Sequence, residues 1–151
     1  MTTVSNLTDH TGYWLRMVSN AVSTSFARRV EGAGVTVAEW ALLRCLFDHE
    51  AGVAPSAVAQ AMGMTRGAIS KLSDRLIGKG FVRRIDSTRD RRAHTLFLTP
   101  EGASIVPRLA ALADANDDDF FGALSPDERK AFEATLMRLV TRRGLTTVPV
   151  D

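Results

Sequence analysis

Within four residues the chain carries Arg89, Arg91 and Arg92, with Asp90 among them. Guanidiniums crowded this closely have no place in an apolar core, and arginine is the side chain drawn to the negative potential of a narrow DNA minor groove. Asp90 then reads as a partner that splints an arginine; the alternative is a charged loop with no ligand. Upstream, Thr65, Arg66, Gly67, Ser70 and Lys71 are all short or cationic and fall on one face of a helix, as a helix lying in a major groove requires. Arg75, one turn beyond Lys71, joins it as a candidate phosphate grip. Gly67 is informative because glycine inside a helix costs ~1 kcal/mol relative to alanine. Two compensations are open for it, a close approach to the DNA backbone or a close crossing with another helix.

The charge distribution agrees with these two sets. Residues 65–94 hold nine cations against three anions, a local +6, while the whole chain carries only +2. A basic segment on an acidic body is either a solvated face or the footprint of a polyanion binder, since neutralising phosphates releases counterions. Enzyme chemistry finds little support. There are three histidines, His10, His49 and His94, with no glycine-rich phosphate loop and no Gly-x-Ser-x-Gly elbow. Cys45 and His49 lie four apart on one helix face, but no third metal ligand joins them there, so neither a metal nor a cofactor is expected. Leu42, Leu43 and Leu46 around Cys45 point to an inert thiol in apolar surroundings.

These residues need a scaffold, and 151 residues with 45% hydrophobic and 24% charged side chains suit one domain. Such a chain can bury roughly 68–70% of its unfolded surface without staples. One cysteine excludes an internal disulfide and suggests the reducing cytoplasm. No apolar run approaches the ~20 residues of a spanning helix, and Met1–Asn6 lacks the pattern of a signal peptide, so no membrane is expected.

Leu15, Val18, Val22, Phe26 and Val30 recur at helical spacing, which predicts an amphipathic helix over 11–31. Thr36 and Glu39 form a capping-box pattern before a second helix running to about Glu50. Pro55 opens a third helix to Met62, Gly63 turns the chain, and Thr65 caps a fourth that stops at Gly80. Two helices joined by a short glycine turn, the second basic, make a helix-turn-helix pattern. Residues 81–85 and 95–98 then read as a two-stranded hairpin with a long polar tip. Thr99-Pro100 and Ser125-Pro126-Asp127-Glu128 start two more helices, and the acidic run Asp117–Asp119 suggests a solvated face. Phe132, Leu136, Leu139 and Val140 line the last helix with an apolar stripe that asks for a partner surface, and the tail from Gly144 looks frayed.

The run Thr65-Arg66-Gly67-Ala68-Ile69-Ser70-Lys71-Leu72-Ser73-Asp74-Arg75-Leu76, then Lys79-Gly80-Phe81-Val82-Arg83-Arg84, the wing Asp86-Ser87-Thr88-Arg89-Asp90-Arg91-Arg92 and the closing Leu98-Thr99-Pro100-Glu101-Gly102 resemble the multiple-antibiotic-resistance-regulator (MarR) family of winged-helix transcription factors. The resemblance implies a homodimer whose first and last two helices interlock and whose two readers meet a pseudo-palindromic operator. By position it makes Arg92 the wing arginine of the minor groove and Asp74 and Asp90 the acids that orient it. One departure is Ala54, where the family usually places a Ser or Thr cap.

The expectation is therefore an α+β, mostly helical winged helix-turn-helix domain spanning 1–151. Residues 36–99 form the reader, and residues 11–31 and 100–143 supply dimerisation helices. Ser56, Thr65, Arg66, Gly67, Ser70, Lys71, Arg75, Arg89, Arg91 and Arg92 contact double-stranded DNA in this reading. The resemblance further suggests a cleft for a small aromatic anion, for which His10, Tyr13, Trp14, Arg16, Met17, Trp40 and Phe47 are candidates, with plain core packing as the alternative. A regulator sensing oxidants through Cys45 and a winged helix that binds only protein are the rival functions.

Overall fold

The computed structural model describes every residue except Thr88, Asp90, Arg91, Arg92 and Asp151. A 3-10 turn at Leu7–Asp9 leads into α1 (Thr11–Glu31), followed by α2 (Val37–Phe47), α3 (Pro55–Met62), α4 (Arg66–Gly78), β1 (Val82–Asp86), β2 (His94–Leu98), α5 (Pro100–Phe121) and α6 (Pro126–Arg143). Among the described residues no helix is long and apolar enough to cross a membrane.

Hydroxyl caps set most helix starts. Thr36, Thr65 and Thr99 each accept a hydrogen bond from the amide three residues on, at 3.0–3.1 Å, and such caps contribute ~1 kcal/mol each. Ser125 and Glu128 complete a full capping box. Glu39 does not: its amide is capped by Thr36, but its side chain turns into the interior instead of back to the Thr36 amide. At α3 the uncapped Ala54 is followed by Pro55, whose fixed φ opens the helix without a hydroxyl.

β1 and β2 pair antiparallel from Val82 opposite Leu98 to Asp86 opposite His94. Val53 adds a one-residue bridge, exchanging both backbone hydrogen bonds with Leu96 at 2.9–3.0 Å. α2 ends at Phe47, short of the expected Glu50, because the chain must turn to reach this bridge. Gly52 makes that turn at φ +83°, where a Cβ would sit 2.6 Å from the Phe97 ring.

One core holds the elements together. Leu42, Leu43 and Leu46 from α2 meet Val58 and Met62 from α3, Ile69, Leu72 and Leu76 from α4, Leu96 from the hairpin and Leu109 from α5. A fully buried side chain of this size contributes ~1.5–3 kcal/mol. α1 lies along α5, joined by the buried Asn116, which accepts from Ser25 Oγ at 2.7 Å and donates to the Val22 carbonyl at 3.3 Å. The acidic run is less idle than its composition suggests, since Asp119 pairs with Arg29 of α1 and Asp118 with Arg129 of α6.

α6 buries none of its residues. It touches α5 through Phe132, whose ring lies 5.9 Å from that of Phe121, and leaves Leu139 and Val140 about half exposed. The tail after it is docked rather than frayed. Val148 donates its amide to the Met62 carbonyl at 3.0 Å, and Val148 and Val150 pack against the core. Gly63 permits this: it turns left-handed at φ +64°, and a Cβ there would lie 2.8 Å from Thr147 Cα.

Candidate nucleic-acid interface

α4 is two-sided. Ile69, Leu72, Ser73 and Leu76 face the core, while Thr65, Arg66, Gly67, Ser70, Lys71, Asp74 and Arg75 face solvent. The buried Ser73 hydroxyl is satisfied by the Ile69 carbonyl at 2.7 Å, so polarity on the inner face costs nothing unpaired. Among the described residues, no acid pairs with Arg66, Lys71 or Arg75. Gly67 does not sit at a helix crossing, since a Cβ there would find only its own cap, Thr65 Oγ1, at 4.0 Å. The outer face of α4 is therefore open at Gly67.

The hairpin is fastened to the end of α4 by the segment after it. Thr99 donates its hydroxyl to the Gly80 carbonyl at 2.6 Å and its amide to the Phe81 carbonyl at 3.0 Å. Gly102 in the first turn of α5 presses so closely that a Cβ would overlap the Phe81 carbonyl oxygen and lie 2.9 Å from its carbon. The Thr-Pro-Glu-Gly sequence is therefore a knot between reader and wing. At the other end of the hairpin, His94 Nδ1 lies 2.6 Å from Asp86 Oδ1, and Ser87 donates to the Ala93 carbonyl at 2.8 Å. Arg89 is exposed beyond them; Asp90, Arg91 and Arg92 lie outside the described residues.

Between α3, α4 and the hairpin runs a groove of about 400 Å³ that gathers Ser56, Arg66 and Ser70 with Arg84 and His94. Arg84 escaped sequence reasoning as a site residue. Its Nη2 donates to Asp74 Oδ1 at 2.8 Å, so the acid expected to orient Arg92 holds a different arginine among the described residues. The missed signal was strand parity: Arg83 and Arg84 point to opposite faces, and Arg83 lies over the Phe97 ring at 4.9 Å.

The aromatic candidates do not converge within one chain. Tyr13 and Trp14 meet edge-on at 5.1 Å near the exposed start of α1, beside His10 and Arg16, and Met17 borders a separate open groove along α1. Phe47 is 38% exposed under Arg44. Trp40 alone of the set lines a cavity of about 660 Å³, with Phe26, Ala41, Cys45, Met62, Val148 and Pro149. Arg44 and Asp48 stand at its polar edge and pair with each other at 2.7 Å. Burial pushes the Cys45 thiol up from its ordinary pKa, against a smaller lowering by Arg44. Among the described residues no cluster of three His, Cys, Asp or Glu side chains could hold a metal ion.

Comparison with known proteins accounts for this arrangement. Residues 35–94 match the MarR family model. A protein of Thauera aromatica, named for transcriptional regulation of the hcr operon, is 32% identical over 140 residues, 92% of this chain and 84% of that protein. A mutant MarR from E. coli, crystallised with operator DNA, superposes with a TM-score of 0.73 at 24% identity, covering 85% of this chain and 92% of that one. Bordetella bronchiseptica BpsR, whose DNA binding is regulated by 6-hydroxynicotinic acid, superposes with a TM-score of 0.76 at 21% identity over 91% and 97% of the two chains. The chain belongs to the MarR family of transcriptional regulators, DNA-binding proteins with a winged helix-turn-helix and not enzymes.

Proposed function

We propose that this chain is a homodimeric repressor that reads a pseudo-palindromic operator, with α4 in the major groove and the wing in the adjoining minor groove. The observation that carries the reading is the outer face of α4, where Arg66, Ser70, Lys71 and Arg75 are exposed beside Ser56 and Arg84 with no acid paired to the first four among the described residues. Arg66 and Ser70 serve as base readers and Lys71 and Arg75 as phosphate grips; Arg89, Arg91 and Arg92 form the wing contact with Asp90 as orienting partner. A mobility-shift titration on the DNA upstream of the chain's own coding region, repeated over a salt series, tests this. Tight binding that falls linearly in log–log salt is expected, and removing Lys71 or Arg75 should lower the slope by about one unit. Weak, salt-insensitive binding would instead favour a protein-interaction module.

A second copy of the chain covers α6. The stripe Phe132, Leu136, Leu139 and Val140 and the exposed Trp14, Leu15 and Met17 of α1 are two apolar faces on one chain, which a two-fold axis can pair reciprocally. That symmetry sets half-site centres about one helical turn, or ~10 bp, apart. The cavity beside Trp40 supports a small aromatic effector that relieves repression, in keeping with the ligand control of BpsR. The raised pKa of Cys45 keeps its thiol protonated and favours this effector reading over oxidant sensing. With its one cysteine kept reduced, the protein acts in the cytoplasm.

A further inference from the structure

One cation of the basic segment turns its ammonium toward the interior while its side chain stays 38% exposed. Lys79, the residue that ends α4, lays its ammonium across the carboxylate of Glu39, 2.8 Å from Oε2 and 3.1 Å from Oε1. Only the Oε1 contact has hydrogen-bond direction, so Oε2 is held by charge alone. The same ammonium donates to the Gly34 carbonyl at 2.9 Å. Glu39 is 1% exposed, the one buried acid among the described residues. Its place in the first turn of α2 adds the positive end of that helix dipole to the ammonium. A carboxylate this deep is costly unless paired, so taking the ammonium away would leave an uncompensated buried charge.

Three elements meet at this ammonium: the end of α4, the start of α2 and the turn that follows α1. We infer that Glu39 and Lys79 are positioning residues for DNA binding, a clamp that fixes the C-terminal end of α4 and hence the angle at which Arg66 and Ser70 meet the duplex. The leverage follows from length. Thirteen residues of helix span about 20 Å, so a swing of about 3° at the Lys79 end carries Arg66 about 1 Å, enough to break hydrogen bonds to base edges. Lys79 thus leaves the set of phosphate-gripping cations to which its charge and sequence neighbours would assign it. The inference rests on α4 being the reader.

The test measures affinity for a duplex selected from random DNA by the native protein, over a salt series, for E39Q, K79M, K79R and R66A, with thermal melting to confirm that each is folded. E39Q and K79M should each weaken binding about tenfold with an unchanged salt slope, while K79R, which keeps the cation, should stay within about threefold. A K79M protein that lost about one unit of salt slope beside a neutral E39Q would make Lys79 a phosphate anchor and overturn the clamp. Native affinity in both would overturn it as well. Should either variant not fold, the other carries the comparison. A neutral R66A would instead remove the reader assignment beneath it, a failure distinct from the clamp's own.

Discussion

Replacing Gly67 with alanine should move stability and DNA affinity in opposite directions. The position is helical and exposed, and the added methyl meets nothing closer than Thr65 Oγ1 at 4.0 Å, so the folded chain accepts it without strain. Its main effect on folding is to restrict the unfolded state, a gain of about 0.4–1 kcal/mol. For a chain of this length that raises the melting temperature by about 1–4 °C. On DNA the methyl projects from the same face as Arg66 and Ser70, into the space a duplex must fill. If the backbone of the DNA comes within van der Waals distance there, affinity should drop at least tenfold, ~1.4 kcal/mol, with the salt slope unchanged because no charge is lost. Calorimetric melting and a fluorescence-anisotropy titration read the two halves separately. Native affinity in a stabilised G67A protein would refute the close approach and leave the glycine without a functional reason.

Gly102→Ala should be among the most damaging methyl additions in the chain, costing ~3 kcal/mol because the Phe81 carbonyl cannot yield without opening the knot between α4 and the wing; a melting temperature lowered by about 6–12 °C checks this. Leu136→Asp should yield monomers or insoluble protein and abolish tight DNA binding together, and a native chain that sediments as a stable monomer at micromolar concentration would remove the dimer from the proposal. The Cys45 thiol should alkylate more slowly at neutral pH than a free cysteine. Its rate should climb through a midpoint above that of free cysteine, since burial raises its pKa and withholds the thiolate; equal rates would place the thiol in water.

What the sequence revealed depended on how far apart the interacting groups lie along it. Caps at Thr65, Thr99 and Ser125 were legible because donor and acceptor are three residues apart. Glu39 shows where that local rule fails. Its pattern with Thr36 reads as a capping box, but a partner forty residues away outbids the nearby amide, and no window along the chain contains both. Glycines show the same limit. Gly67 and Gly102 both lie in the first turn of a helix, yet one faces open space and the other a backbone carbonyl. Val53 carries a complete bridge in a single residue, too short for any strand pattern, and Arg84 was hidden because strand parity, unlike charge, depends on a register fixed only by pairing. Which residues of α4 face outward was readable, since helical period alone sorts them, but the pairing of Asp74 with Arg84 on that face was not.

The hydrogen bond from Val148 to Met62 joins residues 86 positions apart, and it closes over the turn on which α4 hangs. During synthesis at about 5–20 residues per second, about 4–14 s pass between completion of α4 and the arrival of Val148 to cover the turn. The turn of the reader is thus covered only after both of its helices, the wing, α5 and α6 have been made, and polypeptide that continues past Val150 leaves beside the helix-turn-helix. Affinity tags and reporter fusions belong at the opposite terminus, where residues 1–6 are exposed and α1 has not yet begun.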